Sequence, residues 1–225
     1  MPKFYLVGEF HGTNESPKAC LDIMQRNKIK NLALEFSIDK QKEIDNFLKN
    51  KIAINDISIF NVKTPHDGRA SPAVKNLLLK AKEKKFSVYL VDSDSKIIKE
   101  REKEMAKNLI NIKKGIVFLC GNAHASKKEY HINLLYRLIF RIISIFSSKY
   151  PKLNKIIKPC GYYLPEKETT SYKIISTKGG KFYNFKIKNA KSYKIKGIKY
   201  LPKIITSSDK KYDFYYVVES LTESI

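Results

Sequence analysis

Two short segments of the sequence share one pattern of residues that could carry chemistry. Gly8-Glu9-Phe10-His11 and Gly121-Asn122-Ala123-His124 each follow an apolar run, so a glycine and then a histidine stand where a buried strand is expected to end. Glycine permits a sharp turn close to other chain segments, and histidine is both the commonest metal ligand and a base at neutral pH. A parallel sheet brings such strand ends side by side, so the pair predicts one shared pocket.

Two carboxylates also stand at the ends of predicted apolar strands. Glu9 lies within the first segment, and Glu35 ends another strongly apolar run. A carboxylate at such a position loses hydration and needs a cation nearby, and Arg69 and Arg101 are the candidates. Because Arg101 interrupts an apolar helical stripe, we expect it to point toward the sheet and to pair with Glu9 or Glu35.

The segments that position these residues alternate between strand and helix patterns. Strands are predicted at 3–7, 31–35, 86–92 and 115–120, and helices at 16–26, 40–49, 74–84 and 97–112. This alternation predicts an α/β fold with a mostly parallel central sheet and flanking helices. Polar residues, Asp92 among them, then collect at the carboxyl edge of the sheet, where ligands bind in such folds.

The second half of the chain is basic and rich in short strand patterns. Segments 171–176, 181–188 and 212–218 are expected to add antiparallel strands to the sheet edge, with Gly179-Gly180 as a hairpin turn. The length suits one sizeable core. We therefore expect a single domain over 1–225, with its motifs in 3–125 and a basic, β-rich part over 126–225.

The composition bounds the class of protein. The 225 residues carry 44 Lys and Arg against 22 Asp and Glu, a net charge of +22. Such an excess attracts phosphates or anionic lipid, but Lys dominates, so we interpret it as a solvated surface and do not expect nucleic acid as a partner. The first residues lack a secretory apolar stretch, and the three cysteines have no paired spacing, which together favour a cytoplasmic protein.

One apolar segment, 134–146, begins at Leu134, ends at Phe146 and contains Arg137 and Arg141 one helical turn apart. It is shorter than the roughly 20 apolar residues of a membrane span. Three interpretations stay open: a helix docked over the sheet, a helix that covers a partner or lid surface, or a helix that lies on an anionic membrane surface. The last would make the protein peripheral to a membrane.

Five segments follow one another along the chain: GEFHGTNE at 8–15, ALE at 33–35, DGRAS at 67–71, REKEMA at 101–106 and GNAHA at 121–125. Their residues and order look like the motifs of the Tiki/TraB superfamily, which includes the ChaN haem-binding proteins and the erythromycin esterases. The chain resembles this superfamily over about residues 3–125, and is most similar to its small bacterial members with GExHGTxE and GNxHA signatures.

The resemblance implies one pocket formed by the matching positions, Glu9, His11, Glu35, Arg69, Arg101 and His124. It implies a hydrolase, either a metal-dependent peptidase as in Tiki proteins or an esterase that activates water as in erythromycin esterases. Likeness to ChaN implies haem binding instead. The chain is much shorter than an erythromycin esterase and lacks its helical substrate lid, so macrolide specificity is not expected.

We therefore expect a hydrolase of a peptide or ester bond in a peptide or small-molecule substrate. His11 or Glu9 would take a proton from water, a metal or Arg69 would polarise the carbonyl, and His124 would complete the site. The metal ligands would be His11, His124, Glu9 and Glu35, a set that suits zinc, manganese or cobalt. The alternatives are a haem- or metal-binding protein without turnover, since Tyr and His both ligate haem iron, and a basic module that binds membrane or nucleic acid.

Overall fold

The computed structural model describes residues 3–61, 67–93, 95, 97–131, 156–184, 186–195 and 200–224. The segment 134–146, with its expected membrane contact, lies outside the described residues. Within the described part of the chain, no helix combines the length and the apolar character needed to cross a bilayer.

The first half alternates between strands and helices, as the sequence predicts. The strands are β1 (Phe4–Glu9), β2 (Asn31–Ser37), β3 (Ser87–Asp92) and β4 (Ile116–Gly121). The helices are α1 (Glu15–Arg26), α2 (Gln41–Leu48), α3 (Pro72–Glu83) and α4 (Ile98–Asn111), and short 3₁₀ turns occupy Ile38–Lys40, Ile54–Asp56 and Ser58–Phe60. Helix α3 begins earlier than predicted because the Ser71 side chain accepts from the backbone N–H of Val74 and Pro72 fits the first turn.

The second half contributes two short helices and further strands. The helices are α5 (Asn122–Ala125) and α6 (Cys160–Tyr163), and a 3₁₀ turn occupies Glu166–Glu168. The strands are β5 (Tyr130–His131), β6 (Ile156–Ile157), β7 (Thr169–Ser176), β8 (Gly180–Asn184), β9 (Lys186–Ala190), β10 (Lys203–Thr206) and β11 (Phe214–Val218).

Among the described residues, seven strands form one sheet in the order β10-β11-β7-β1-β4-β2-β3, and only β10 runs antiparallel to its neighbour. The pairs β5–β6 and β8–β9 are separate antiparallel ribbons. The predicted fold class is thus confirmed: an α/β protein with a mostly parallel sheet, flanking helices and antiparallel strands in its C-terminal part.

The C-terminal strands differ from the prediction in where they pair. β7 lies inside the sheet, parallel to both β1 and β11, rather than at an antiparallel edge. Its side chains explain this, because Ile174 and Ile175 are buried on opposite faces and both faces must be covered. Gly179-Gly180 is not a hairpin turn between β7 and β8, which do not pair; both glycines have positive φ and lead the chain into the β8–β9 ribbon.

Helices cover both faces of the sheet. Along β1, Val7 faces the apolar cluster formed with α1, α2 and α3, whereas Leu6 faces the cluster formed with α4, α5 and α6. Both side chains are fully buried. This double coverage accounts for the nearly continuous apolar runs of the central strands and leaves their carboxyl ends as the polar edge.

Two glycines allow three loops to meet beyond the end of β1. Gly12 has a φ of +65°, and a Cβ there would lie 2.7 Å from Cβ of Tyr183 in the β8–β9 ribbon. Gly68 has a φ of +89°, and a Cβ there would lie 2.8 Å from the backbone N of Gly12 and would overlap the carbonyl oxygen of Tyr183. Phe10 and Phe182 pack beside this contact, with ring centroids 5.1 Å apart.

This packing predicts an effect of Gly68→Ala. The substitution forces a side chain into a left-handed backbone conformation and against two backbone segments, so we expect the free energy of unfolding to fall by about 1–3 kcal/mol. Gly115→Ala is the matched control, because its Cβ would meet only Ile29 side-chain atoms at 3.8 Å. Denaturant unfolding of both variants provides the check, and equal stability of the two would show that the loops do not meet as described.

Candidate active site

The four strands β1, β4, β2 and β3 are neighbours, and their carboxyl ends form one continuous edge. Glu9 ends β1 opposite Gly121 of β4, and Asp92 ends β3 opposite Ser37 of β2. The Glu35 side chain enters the same edge from β2. The strand order therefore assembles residues that lie far apart in the sequence.

A local irregularity in β2 lets the Glu35 side chain reach the carboxyl edge of the sheet. Leu34 pairs with Leu90, but the next pair is Ser37 with Asp92, so β2 contains a bulge at this position. Pairing of β2 with β4 also stops at Leu34. The Glu35 carboxylate fills the resulting gap, where its Oε2 accepts from the backbone N–H of Gly121 at 2.8 Å.

Glu35 is the acceptor on which three cations converge. Its Oε1 lies 3.2 Å from Nη1 of Arg69, 3.0 Å from Nη2 of Arg101 and 3.1 Å from Nε2 of His124. Burial alone would raise the pKa of Glu35, but the charges of His124 and Arg69 outweigh it and hold that pKa well below its usual value. Glu35 is therefore an ionised, saturated acceptor rather than a proton donor.

Asp92 joins the two arginines a second time. Arg101 donates from Nε to Oδ1 of Asp92 at 2.6 Å and from Nη2 to Oδ2 at 2.5 Å, and Arg69 donates from Nη1 to Oδ2 at 3.2 Å. Arg69 also donates from Nε to Asp67 at 2.6 Å. The predicted inward orientation of Arg101 and its pairing with Glu35 are confirmed, whereas Glu9 is not among its partners.

His124 lies between two carboxylates. Its Nδ1 is 2.7 Å from Oε1 of Glu102 and its Nε2 is 3.1 Å from Glu35. Burial lowers the pKa of His124, but the two carboxylates more than offset this and raise it to about 10. Glu102 is itself fixed by the backbone N–H of Cys160 at 2.6 Å. A pKa raised in this way favours the imidazolium form of His124 at neutral pH.

His11 has a different environment. Its Nδ1 lies 2.8 Å from Oε1 of the buried Glu9. Burial lowers the pKa of His11, but the Glu9 carboxylate outweighs this and raises it above the ordinary value. A Cβ at Gly121 would lie 3.0 Å from Nε2 of His11 and 3.4 Å from Cδ2 of His124, so this glycine lets the two rings approach each other.

The loop that carries His11 is tied to the C-terminal part of the chain. The hydroxyl of Thr13 donates to the carbonyl of Phe10 at 2.9 Å, and the backbone N–H of Ser224 donates to Gly12 at 2.8 Å. Glu15 accepts from the backbone and the hydroxyl of Thr222. Glu15 and Thr13 therefore have structural roles, which leaves Glu9 and His11 as the chemical groups of the segment.

The expected metal ligands are largely committed to other bonds. Metal ligation requires a neutral imidazole, whereas His124 faces carboxylates through both nitrogens, and both oxygens of Glu35 accept hydrogen bonds. Within the described ranges, no group of three or more His, Cys, Asp or Glu side chains is arranged to hold a metal ion. The donor set as it stands does not fit a divalent cation.

The structure brings together all six residues predicted for the site and adds three that were not assigned to it: Asp67, Asp92 and Glu102. The sequence already places Asp92 at this edge, because it ends an apolar strand pattern as Glu35 does, but it assigns Asp92 no role in the site. The sequence gives no signal that Glu102 belongs to the site, because it stands among other charged residues of α4. The structure nevertheless buries it.

The fold and the site define an α/β protein with a buried network of carboxylates, arginines and histidines at the carboxyl edge of its sheet. No protein-family model matches the chain, and no curated protein shows significant similarity to it. Among solved structures it is similar to the type III effector HopBA1, at 12% identity and a TM-score of 0.52, over 96% of this chain and 88% of that one. It is also similar to a Bacillus cereus protein, at 12% identity and a TM-score of 0.55, over 98% and 89% of the two chains. At this identity the likeness concerns the fold alone.

The double pairing of Arg101 predicts a large effect of Arg101→Ala. Its removal leaves two buried carboxylates short of a cation, so we expect the free energy of unfolding to fall by about 3 kcal/mol. The control is Arg26→Ala, which breaks an exposed pair with Asp22 and should cost less than about 1 kcal/mol. Chemical denaturation measures both, and a loss at Arg101 no larger than at Arg26 would contradict the network.

Proposed function

We propose that the protein is a hydrolase of an ester or peptide bond, with His11 as the general base. The observation that carries this is the contact of His11 with the buried carboxylate of Glu9 at 2.8 Å, at the carboxyl end of a central strand. The resemblance to the Tiki/TraB superfamily points to the same reaction class.

The His11–Glu9 pair has the form that general-base catalysis requires. A hydrogen bond from Nδ1–H to Glu9 fixes the ring orientation and the tautomer, so that Nε2 carries the lone pair. A base works best when its pKa lies close to the working pH. The Glu9 carboxylate raises the pKa of His11 above its ordinary value, so the basic form of His11 increases as the pH rises. His124, by contrast, is held charged by its two carboxylates, so the two histidines divide their roles.

The reaction would proceed by direct attack of water. Nε2 of His11 takes a proton from water, the oxygen bonds to the carbonyl carbon, and the bond from that carbon to the leaving oxygen or nitrogen breaks. The proton held by His11 then passes to the leaving group, which balances the step without any further reagent.

Arg69 would stabilise the negative charge that develops on the carbonyl oxygen. Its Nε and Nη1 donate to Asp67, Glu35 and Asp92, while Nη2 makes no hydrogen bond to a described residue. A preorganised guanidinium with a donor left over in this way suits the stabilisation of an oxyanion.

A metal-dependent form of the same reaction would require His124 or Glu35 to leave its present partners. Elemental analysis of the purified protein for zinc, manganese and cobalt, with the rate measured before and after chelation, tests that form. Haem titration tests the ChaN-like alternative, for which a Soret band in a protein without turnover would be the positive result.

Activity measurements on His11 variants test the proposal. The purified protein is assayed against p-nitrophenyl acetate and a set of short peptides, and His11→Ala should reduce kcat/KM by about 100-fold or more, since general-base catalysis contributes at least that much. Glu9→Gln should reduce the rate less, because the ring keeps a hydrogen-bonding neighbour.

Glu43→Gln is the matched control, because Glu43 bonds Ser58 away from the site and its loss should leave the rate unchanged. Circular dichroism confirms that each variant is folded. A folded His11→Ala variant with the wild-type rate would overturn the assignment of His11 as the base.

A further inference from the structure

The two arginines of the site, Arg69 and Arg101, each have a guanidinium nitrogen that donates to no described residue. Arg101 bonds Asp92 and Glu35 through Nε and Nη2, and its Nη1 donates to no acceptor in the described part of the chain. In the proposed reaction, Nη2 of Arg69 donates to the carbonyl oxygen of the substrate. Nη1 of Arg101 is then a second donor that is still available to the substrate. Because both guanidinium groups share Oε1 of Glu35 and Oδ2 of Asp92, they are fixed next to each other.

Exposure differs systematically between the cations and the carboxylates of the site. The side chains of Arg69 and Arg101 are 27% and 23% exposed. Glu35 and Asp92 beneath them are only 4% and 9% exposed. A ligand that arrives from solvent therefore meets the guanidinium groups before the carboxylates that hold them.

Two further carboxylates in the described part of the chain, Asp67 and Glu102, are also committed. Asp67 accepts from Nε and the backbone N–H of Arg69 rather than from Arg101, and Glu102 is buried between His124 and the backbone N–H of Cys160. The carboxylates thus position the guanidinium groups and keep them charged, while the net charge of +22 draws anions toward the molecule.

We infer that Arg101 anchors an anionic group of the substrate, a carboxylate or a phosphate, beside the bond on which His11 acts. A guanidinium group matches the geometry of both oxyanions and forms charge-assisted hydrogen bonds with them. The substrate class would then be an ester or peptide that carries an oxyanion close to the scissile bond. Since the anion belongs to the substrate of the proposed hydrolase, this assignment rests on that function.

Arginine NMR offers a direct test of binding in the wild-type protein. The chain has only five arginines, Arg26, Arg69, Arg101, Arg137 and Arg141, so the guanidinium signals are few. Inorganic phosphate or acetate is titrated at constant ionic strength against chloride, and the Arg101 signal should shift saturably while the Arg26 signal stays in place. Tighter saturation by phosphate assigns a phosphate-bearing substrate, and tighter saturation by acetate assigns a carboxylate-bearing one. An Arg101 signal that moves no more than that of Arg26 would overturn the inference.

A kinetic comparison separates this inference from the proposed function. In the wild-type protein, kcat/KM for p-nitrophenyl hemisuccinate should exceed kcat/KM for p-nitrophenyl acetate. The ratio of the two should fall about tenfold or more in Arg101→Lys, because lysine keeps the positive charge but lacks the paired N–H donors of a guanidinium group. Arg26→Lys should leave the ratio unchanged. If Arg101→Lys does not fold, the wild-type NMR titration still decides. Saturable anion binding at Arg101 without any hydrolysis would support the anion site and refute the hydrolase. Hydrolysis with no shift of the Arg101 signal and no preference for the hemisuccinate would refute the anion site alone.

Discussion

The ionised carboxylate of Glu35 is the interaction on which the rest of the site depends. It lies at the end of a central strand with little access to water, where a lone charge would be prohibitively costly. The backbone N–H of Gly121 and three cationic side chains make the charge tolerable. Each of those cations is in turn held by a second carboxylate, so the network is satisfied only when it is complete.

The network gives the two histidines different surroundings. His124 has both nitrogens facing carboxylates, Glu102 at Nδ1 and Glu35 at Nε2. His11 has the buried Glu9 at Nδ1, and its Nε2 is the atom that the proposed proton transfer would use. Two histidines in the same short sequence motif therefore differ in the carboxylates that contact them, because Glu9 ends the strand before His11, whereas β2 and α4 bring Glu35 and Glu102 to His124.

Much of the fold follows from local sequence pattern, because apolar periodicity is a property of neighbouring residues. The first four strands and helices are of this kind, and so are the four site residues at or just after strand patterns, Glu9, His11, Glu35 and His124. The position of β7 inside the sheet is not, since pairing between β1 and β7 joins segments more than 150 residues apart (Phe4 with Thr169). The pairing of Asp92 with Arg101 and of Glu102 with His124 depends likewise on tertiary structure. It requires the strand order β1-β4-β2-β3 and the orientation of α4 about its axis, and neither is visible in the local sequence pattern. Glu102 illustrates this most clearly, because it is buried within a stretch of α4 that has the composition of a solvated surface.

The histidine ring titration followed by NMR tests the central claim most directly. The chain has four histidines, and His124→Gln identifies the signal of His124. An ordinary histidine titrates near pH 6.5, whereas the network predicts that His124 stays protonated until the pH approaches its raised pKa of about 10. Replacing Glu102 by Gln should move that titration to lower pH, because one of the two carboxylates is then neutral. A His124 ring that loses its proton at or below about pH 6.5 in the wild-type protein would show that Glu35 and Glu102 do not hold it as described.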